Sequence, residues 1–197
     1  MQRLFSFALI GLLALALVWV GFFWEPATPS RVDERPRGGA FEFQSLAGPV
    51  SLAQLRGKVV VLYFGYTWCP DICPTSLGML SAALSELTEQ ELAGLRSLFI
   101  SVDPERDTLE KLATYADYFH PNLIGVTGTR EQIDAAVARY GAAYRIVKEA
   151  EKEDRYVVDH SADLYLIDRR GGLVRSIPHG TPPEQILAAL RSELKRP

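Results

Sequence analysis

The sequence has little cysteine, little histidine and little excess charge of either sign. Its 197 residues include two cysteines and three histidines, and basic and acidic residues nearly balance, giving a formal net charge of −3. Two cysteines are too few to hold a disulfide-stapled small domain together, and mild acidity argues against a nucleic-acid-binding protein. Any chemistry that depends on cysteine must therefore use a single pair.

What the sequence does have is one long hydrophobic run near its start. Residues 4–24 carry no charge, and Ser6 is their only polar side chain. Such a run makes about 30 Å of helix, which matches the apolar core of a bilayer, so we predict a transmembrane anchor over 4–24. A cleaved secretory signal is the alternative, favoured by Arg3 and by the small residues Ala14 and Ala16. The apolar run, however, continues past such a cleavage site.

The charges that flank this run bear on its orientation. Arg3, in the short tail of residues 1–3, favours a cytoplasmic amino terminus, whereas three arginines in the following segment count against it. Because so little chain precedes the run, we expect the folded domain to lie outside the cytoplasm. Residues 25–40, which are rich in proline, glycine and charge, form the predicted linker between anchor and domain.

Residues 41–197 alternate between strand-like and helix-like patterns, which predicts one α/β domain with helices on both faces of a central sheet. Two short extended stretches, 41–44 and 50–52, flank a turn predicted at Gly48-Pro49, which predicts an additional N-terminal hairpin. The predicted extended segments are 41–44, 50–52, 59–64, 98–102, 123–126, 156–159, 164–167 and 173–177. The predicted helices are one carrying Leu77, Leu80, Leu84 and Leu87, and those at 108–119, 130–140 and 182–194.

The two cysteines fall where a buried strand turns into a helix. The strand-forming run Val59–Phe64 leads directly into Cys69-Pro-Asp-Ile-Cys73. Residues four apart share one face of a helix, and in a loop they remain close enough to bind one ion or to form a disulfide. A helix amino terminus favours the thiolate, which is both the redox nucleophile and a soft metal ligand. The position of the pair therefore leaves metal binding and redox chemistry both open.

A third ligand would separate these two chemistries. His160 follows an apolar segment and precedes another predicted strand, so a central sheet can return it to the edge that carries the cysteines. Two thiolates and one imidazole suit Cu(I) and can also hold Cu(II), whereas a closed zinc site normally needs a fourth ligand. A lone histidine near a strand is, however, often an ordinary hydrogen-bonded group.

The remaining polar candidates have weaker claims on a metal. His120 ends a predicted helix, where an imidazole can interact with free carbonyls, and His179 has the sequence context of a turn residue. Asp71, between the cysteines, fits a solvated loop group better than a partner of a metal ligand. Asp159 could orient His160 through its second ring nitrogen, but adjacent side chains on a strand point to opposite faces.

Four motifs, in this order, resemble the Sco/SenC family. They read FGYTWCPDICP at 64–74, SVDPERDT at 101–108, IGVTG at 124–128, and VDHSA at 158–162 followed by YLID at 165–168. The resemblance extends from about Phe41 to near the C-terminus. It implies a thioredoxin-like fold, tethered to a membrane, that binds copper and helps to assemble the dinuclear copper centre of cytochrome c oxidase. Under this resemblance Cys69, Cys73 and His160 match the copper ligands of the family.

The resemblance also implies partners and a location. The partners are the copper-bearing subunit of cytochrome c oxidase, a copper donor and a thiol reductant, since copper loading requires both thiols to be reduced. The location is the bacterial inner membrane, with the domain facing the periplasm. Two departures from the family pattern are Trp68, where many relatives carry His or Phe, and Arg169-Arg170, which replace a proline-containing turn. Neither removes a ligand, but Trp68 bears on copper affinity and on the surface that meets a partner.

Two functions fit these residues. The first is a copper metallochaperone, and the second is a thiol-disulfide oxidoreductase or peroxidase-like enzyme in which Cys69 and Cys73 form the redox-active pair. Three residues separate the cysteines, in contrast to the two of thioredoxin-type redox motifs, and simple thiol exchange has no need of His160. We therefore expect a metallochaperone rather than an enzyme.

Overall fold

The computed structural model describes residues 38–149 and 152–196, together with Leu15 and Trp19. The predicted tail 1–3, the predicted anchor apart from those two residues, and most of the predicted linker lie outside the described residues. Leu15 and Trp19 are both helical and exposed. In the part of the chain that is described, no helix combines the length and the apolar composition needed to cross a membrane.

The chain divides into two units, residues 1–34 and residues 35–197, and the second contains the folded domain. From residue 38 onward, the described residues form strands and helices whose bounds follow. The strands are β1 (Glu42–Ser45), β2 (Gly48–Ser51), β3 (Val59–Gly65), β4 (Leu95–Ser101), β5 (Leu123–Val126), β6 (Tyr144–Glu149), β7 (Lys152–His160), β8 (Leu164–Ile167) and β9 (Leu173–Ile177). The helices are α1 (Ile72–Ser85), α2 (Glu89–Ala93), α3 (Leu109–Phe119), α4 (Arg130–Tyr140) and α5 (Pro183–Leu194).

The central sheet is mixed and has the strand order β5-β4-β3-β8-β9. Strands β3, β4 and β5 run parallel, whereas β8 pairs antiparallel with both β3 and β9. Every residue of β3 is buried, as expected for the middle strand of a sheet covered on both faces. The carboxyl ends of β3 and β4 therefore meet at one edge, and the cysteines follow directly from β3.

The aromatic side chains of β3 show which helices cover each face. Tyr63 stacks on Phe99, with 6.3 Å between ring centroids, and Phe99 packs against Tyr115 of α3. The next residue, Phe64, packs against Tyr140 of α4, also with 6.3 Å between centroids. Because successive side chains on a strand point to opposite faces, α3 and α4 cover opposite faces of the sheet. The predicted α/β architecture is confirmed.

The predicted N-terminal hairpin is present, but the predicted turn is wrong. Strands β1 and β2 pair antiparallel, and Ser45 lies opposite Gly48, so the connecting residues are Leu46 and Ala47. Gly48 and Pro49 therefore belong to β2 and not to the turn. Proline is tolerated there because this two-stranded sheet consists of edge strands, on which a missing N–H can face solvent.

A second hairpin, formed by β6 and β7, was not predicted. The sequence pattern predicts only 156–159 as extended, whereas β7 covers nine residues and pairs with the whole of β6. Many residues of these strands are charged, and a strand outside the central sheet need not show an apolar run. In this hairpin Tyr144 lies opposite His160, which places His160 at the end where the hairpin returns toward β8.

Candidate metal centre

The two cysteines occupy different local structures. Cys69 lies in the loop after β3, where its backbone N–H donates to the Tyr66 carbonyl at 3.2 Å. Cys73 lies in the first turn of α1, one residue after the helix begins at Ile72. The side chains of Cys69 and Cys73 are 8% and 0% exposed, and both thiols are free. The pair is therefore a reduced, buried dithiol at the edge of the sheet.

His160, the last residue of β7, contacts the cysteine pair from the separate hairpin. Its Nε2 lies 3.2 Å from the Cys73 Sγ, although 87 residues separate them in the chain. The three potential ligand atoms of Cys69, Cys73 and His160 all lie within 4.8 Å of one another. Among the described residues, this is the one group of three or more His, Cys, Asp or Glu side chains close enough to share an ion.

The tautomer of His160 follows from its second ring nitrogen. Nδ1 lies 2.9 Å from the carbonyl oxygen of Ser161, and a carbonyl can only accept a hydrogen bond, so Nδ1 carries the proton. Nε2 then presents its lone pair to the sulfurs, as a metal-binding imidazole must. The carboxylate of Asp159 points elsewhere and forms an exposed ion pair with Arg145 at 2.7 Å. The group that orients His160 is therefore a backbone carbonyl rather than Asp159.

Gly65 gives Cys73 the space that it occupies. A Cβ atom placed on Gly65 would lie 2.7 Å from the Cys73 Sγ and 2.9 Å from the Phe99 ring. Carbon and sulfur atoms that are not bonded do not approach so closely, so a larger residue at position 65 would displace the thiol. The last residue of β3 thus lets the helix-borne sulfur pack directly against the sheet.

Two tyrosines enclose the imidazole. Tyr63 and Tyr66 approach the His160 ring edge-on, with 6.1 Å and 5.8 Å between ring centroids. The Tyr63 hydroxyl donates to the Ile72 carbonyl at 3.3 Å, which links β3 to the start of α1. Burial raises the pKa of both tyrosines, so they are neutral at physiological pH. They supply a rigid apolar wall for a partly exposed histidine.

The two thiols differ in acidity. A hydrogen bond with the Cys73 side chain is the main cause that holds the pKa of Cys69 well below that of an ordinary thiol. Burial raises the pKa of Cys73, and the neighbouring negative sulfur of Cys69 raises it further. The apo site is therefore one thiolate and one thiol. A metal ion would displace the remaining proton.

The other sequence candidates lie apart from this cluster. His120 accepts a hydrogen bond at Nδ1 from the Asn122 backbone N–H at 3.0 Å, and burial lowers its pKa. His179 lies on an exposed turn, with Nδ1 2.7 Å from the Ser76 hydroxyl. Asp71 is exposed at the start of α1. Trp68, next to Cys69, is 62% exposed and presents an apolar surface beside the site.

Sequence reasoning missed a set of residues in the loop after β4, whose motif it used only for the family resemblance. Asp107 is buried and accepts hydrogen bonds from the Thr67 N–H at 3.0 Å, the Thr67 hydroxyl at 2.5 Å and the Ser101 hydroxyl at 2.6 Å. Asp103, also buried, accepts from the Tyr156 hydroxyl at 2.6 Å. One signal for these residues was available in the sequence. The loop follows a buried strand that runs parallel to β3, and loops after parallel strands lie at the same edge of the sheet, which here carries the cysteines.

The fold and the site together define a class. A mixed sheet with a cysteine pair at the turn from its central strand into a helix is the thioredoxin-like arrangement predicted above, here joined by a histidine from a separate hairpin. The SCO1/SenC family model matches residues 30–195. The chain therefore belongs to the SCO1/SenC family, which confirms the resemblance seen in the motifs.

Individual relatives agree with this assignment. The mitochondrial protein SCO2 of Saccharomyces cerevisiae is 35% identical over 159 residues, which cover 80% of this chain and 53% of that protein. The chain thus spans about half the length of this curated relative. The copper-bound structure of Bradyrhizobium japonicum ScoI is 35% identical, with a TM-score of 0.72 over 80% of this chain and 99% of that one.

A third relative connects the fold to thiol chemistry. BsSco, a member of the Sco family of cytochrome c oxidase assembly proteins in which a disulfide switch was identified, is 27% identical to this chain. Its structure matches with a TM-score of 0.62 over 82% of this chain and 95% of BsSco.

The low pKa of Cys69 predicts an unusual pH profile for alkylation. A thiol with a lowered pKa stays ionised as the pH falls, so the rate at which iodoacetamide modifies Cys69 should change little between about pH 8 and about pH 6. In a Cys73→Ala variant, which lacks the donated hydrogen bond, the rate should fall about tenfold per pH unit below a more ordinary thiol pKa. Peptide mapping by mass spectrometry measures both rates. A tenfold fall per unit in the unmodified protein would contradict the predicted ionisation.

Proposed function

We propose that the domain binds one copper ion through Cys69, Cys73 and His160. The observation that carries this proposal is the convergence of two sulfurs and one unprotonated imidazole nitrogen within 4.8 Å. Soft thiolates and imidazole are the ligands that Cu(I) prefers, and the same set binds Cu(II) with high affinity. The copper-bound state of the ScoI relative supports the choice of copper over other soft metals.

We further propose that the copper is cargo and not a permanent cofactor. Three protein ligands leave copper open to attack by a fourth ligand from another protein, so transfer can proceed by stepwise ligand exchange. Trp68 and the partly exposed His160 give such a partner access to the buried sulfurs. By the assignment of BsSco to oxidase assembly, the proposed acceptor is the copper-bearing subunit of cytochrome c oxidase. A copper donor and a thiol reductant complete the proposed cycle.

Thiol-disulfide exchange is the second candidate function. The division of the pair into a thiolate, Cys69, and a thiol, Cys73, supplies an attacking group and a resolving group for a mixed-disulfide mechanism. The disulfide switch of BsSco supports this candidate. It differs from copper delivery in one respect that can be tested, because exchange needs both sulfurs but does not need the imidazole.

Replacing His160 with Ala should separate the two functions. Removal of one of three ligands should weaken Cu(I) binding by the reduced domain about 100-fold or more. Binding should not be abolished, because the two sulfur ligands remain. Dithiol oxidation and exchange with a small disulfide should continue at a rate within about threefold of the unmodified domain. Competition with a Cu(I) chelator of known affinity measures the first quantity, and a thiol assay measures the second.

The matched controls are His120→Ala and His179→Ala, which remove the other two histidines of the chain. Both should retain one tightly bound copper. Unchanged copper affinity after His160→Ala would exclude His160 as a ligand, and loss of exchange in this variant would contradict the expectation that exchange does not need the imidazole.

We also propose that residues 4–24 anchor the domain in the bacterial inner membrane, with residues 25–40 as linker and the domain in the periplasm. The uncharged composition of 4–24 supports an anchor. The full chain should stay with membranes during extraction at alkaline pH, whereas a chain starting at residue 25 should be soluble. Periplasmic exposure should make the domain sensitive to protease added to spheroplasts. Release of the full chain by alkaline extraction would contradict the anchor, and protection from protease would contradict the orientation.

A further inference from the structure

The loop after β4 binds the strand that delivers His160. The buried carboxylate of Asp103 accepts a hydrogen bond from the Tyr156 hydroxyl at 2.6 Å and forms an ion pair with Arg106. Arg106 Nη1 donates to the Tyr156 backbone carbonyl at 2.9 Å. The guanidinium also lies over the Tyr156 ring, 3.6 Å from its centroid. Asp103 and Arg106 therefore contact the hydroxyl, the ring and the backbone of Tyr156. We call the contacts among these three residues the Tyr156 clamp.

The clamp acts on the same face of β7 as the imidazole. Tyr156, Val158 and His160 alternate along the strand and therefore point to one face. The strand is also held at each of these three residues. Tyr156 is held by the clamp, the Val158 N–H donates to the Tyr66 hydroxyl at 3.4 Å, and His160 meets Cys73.

A second connection runs through the ring of Tyr66. The Arg106 guanidinium lies 5.5 Å from the Tyr66 ring centroid, and the Tyr66 ring meets the His160 ring edge-on. Arg106 therefore braces the strand that carries the imidazole and also the aromatic wall behind it. Among the described residues its Nη2 is buried without a hydrogen-bond partner, and the guanidinium is held through Nε and Nη1.

The hairpin needs such a restraint because the central sheet does not supply one. Strands β6 and β7 form their own two-stranded sheet, and a two-stranded hairpin alone is at best marginally stable in water. The Ser161 N–H closes the base of the hairpin by donating to the Ala143 carbonyl at 2.8 Å. The hydrogen bonds described between the hairpin and the rest of the domain all involve side chains, those of Tyr66, Arg106, Tyr144 and Tyr156 among them. A ligand displaced by about 1 Å loses much of its bond to the metal, so these contacts bear directly on binding.

We propose that Tyr156, Arg106 and Asp103 are positioning residues for the metal centre, which act by holding His160 against the cysteine pair. The inference rests on the copper site proposed above. The hydrogen bonds of the clamp go to Tyr156, on the strand that carries His160, and not to the cysteines, so we expect its contribution to copper binding to pass mainly through His160. Partners that orient a metal ligand typically change metal affinity about 10-fold to 100-fold when they are removed.

A double-mutant cycle tests this route. Tyr156→Phe removes the hydroxyl bond to Asp103 but keeps the ring beneath Arg106, so the fold is retained. We expect it to weaken Cu(I) binding by the reduced domain about tenfold. In the His160→Ala background the same change should alter the remaining affinity by less than about twofold, because no imidazole is left to position. Arg106→Lys, which keeps the charge but loses the fork that reaches both Asp103 and the carbonyl, should behave in the same way.

The matched control is Tyr140→Phe, which removes one buried tyrosine hydroxyl bond, to the Gly39 carbonyl at 2.8 Å, on the opposite face of the sheet. It should leave copper affinity unchanged. Electron paramagnetic resonance of the Cu(II) form gives a second readout, in which Tyr156→Phe should weaken or broaden the nitrogen coupling from the imidazole.

Three results would overturn the inference. The first is unchanged copper affinity and nitrogen coupling in Tyr156→Phe while the unmodified domain binds one copper ion. The second is an equal loss with and without His160, which would assign the effect to the cysteines or to the fold. The third is the absence of copper binding by the unmodified domain, which would overturn the proposed function as well.

Discussion

The packing of the Cys73 sulfur is the contact on which the site depends. This sulfur is fully buried, lies against the glycine that ends β3, and is 3.2 Å from the His160 Nε2. It therefore joins the central strand, the helix that follows it and the separate hairpin at one point. Without a side chain at position 65 the helix can place a thiol directly on the sheet edge, and the imidazole can reach it there.

Burial also sets the chemistry of the pair. Two negative sulfurs in a site shielded from water are costly, so the metal-free protein keeps one proton, on Cys73, and one charge, on Cys69. A soft monovalent cation such as Cu(I) lowers this cost, because it replaces the proton and neutralises the charge of the sulfurs. Oxidation to a disulfide also removes this cost, because neither sulfur of a disulfide is charged. The same physical state thus prepares the site for copper and for thiol exchange, and His160 is the feature that favours copper.

Much of the fold could be predicted because the relevant signals are local. The continuous apolar run of β3 identified the central strand, and helix α3 begins within the predicted range, capped by Thr108, whose side chain accepts from the Lys111 N–H. Hairpin β6–β7 could not be predicted in the same way, because among its side chains with a described burial only Val158 is buried, while Tyr144 and Tyr156 pack at the margin of the core. Asp103 and Arg106, some fifty residues earlier in the chain, hold the hairpin at Tyr156, and Arg130 of α4 holds it at Tyr144.

The site was predictable only in part for the same reason. The spacing of Cys69 and Cys73 and their place after a buried strand are visible in the sequence. The approach of His160 is a contact across 87 residues, and its tautomer depends on the backbone conformation of Ser161. From the residues alone His160 could equally have been an ordinary hydrogen-bonded group, and it was the family resemblance that selected it. No local pattern indicates that the imidazole is oriented by a carbonyl and not by the adjacent Asp159.

The most direct test of the proposed centre is the coordination of copper itself. X-ray absorption spectroscopy of the reduced domain loaded with one equivalent of Cu(I) counts sulfur and nitrogen neighbours without reference to any variant. The geometry of Cys69, Cys73 and His160 predicts two sulfur ligands and one imidazole nitrogen, with the multiple-scattering pattern of a histidine ring. A first shell with sulfur alone, or with only one sulfur, would contradict the three-residue copper centre.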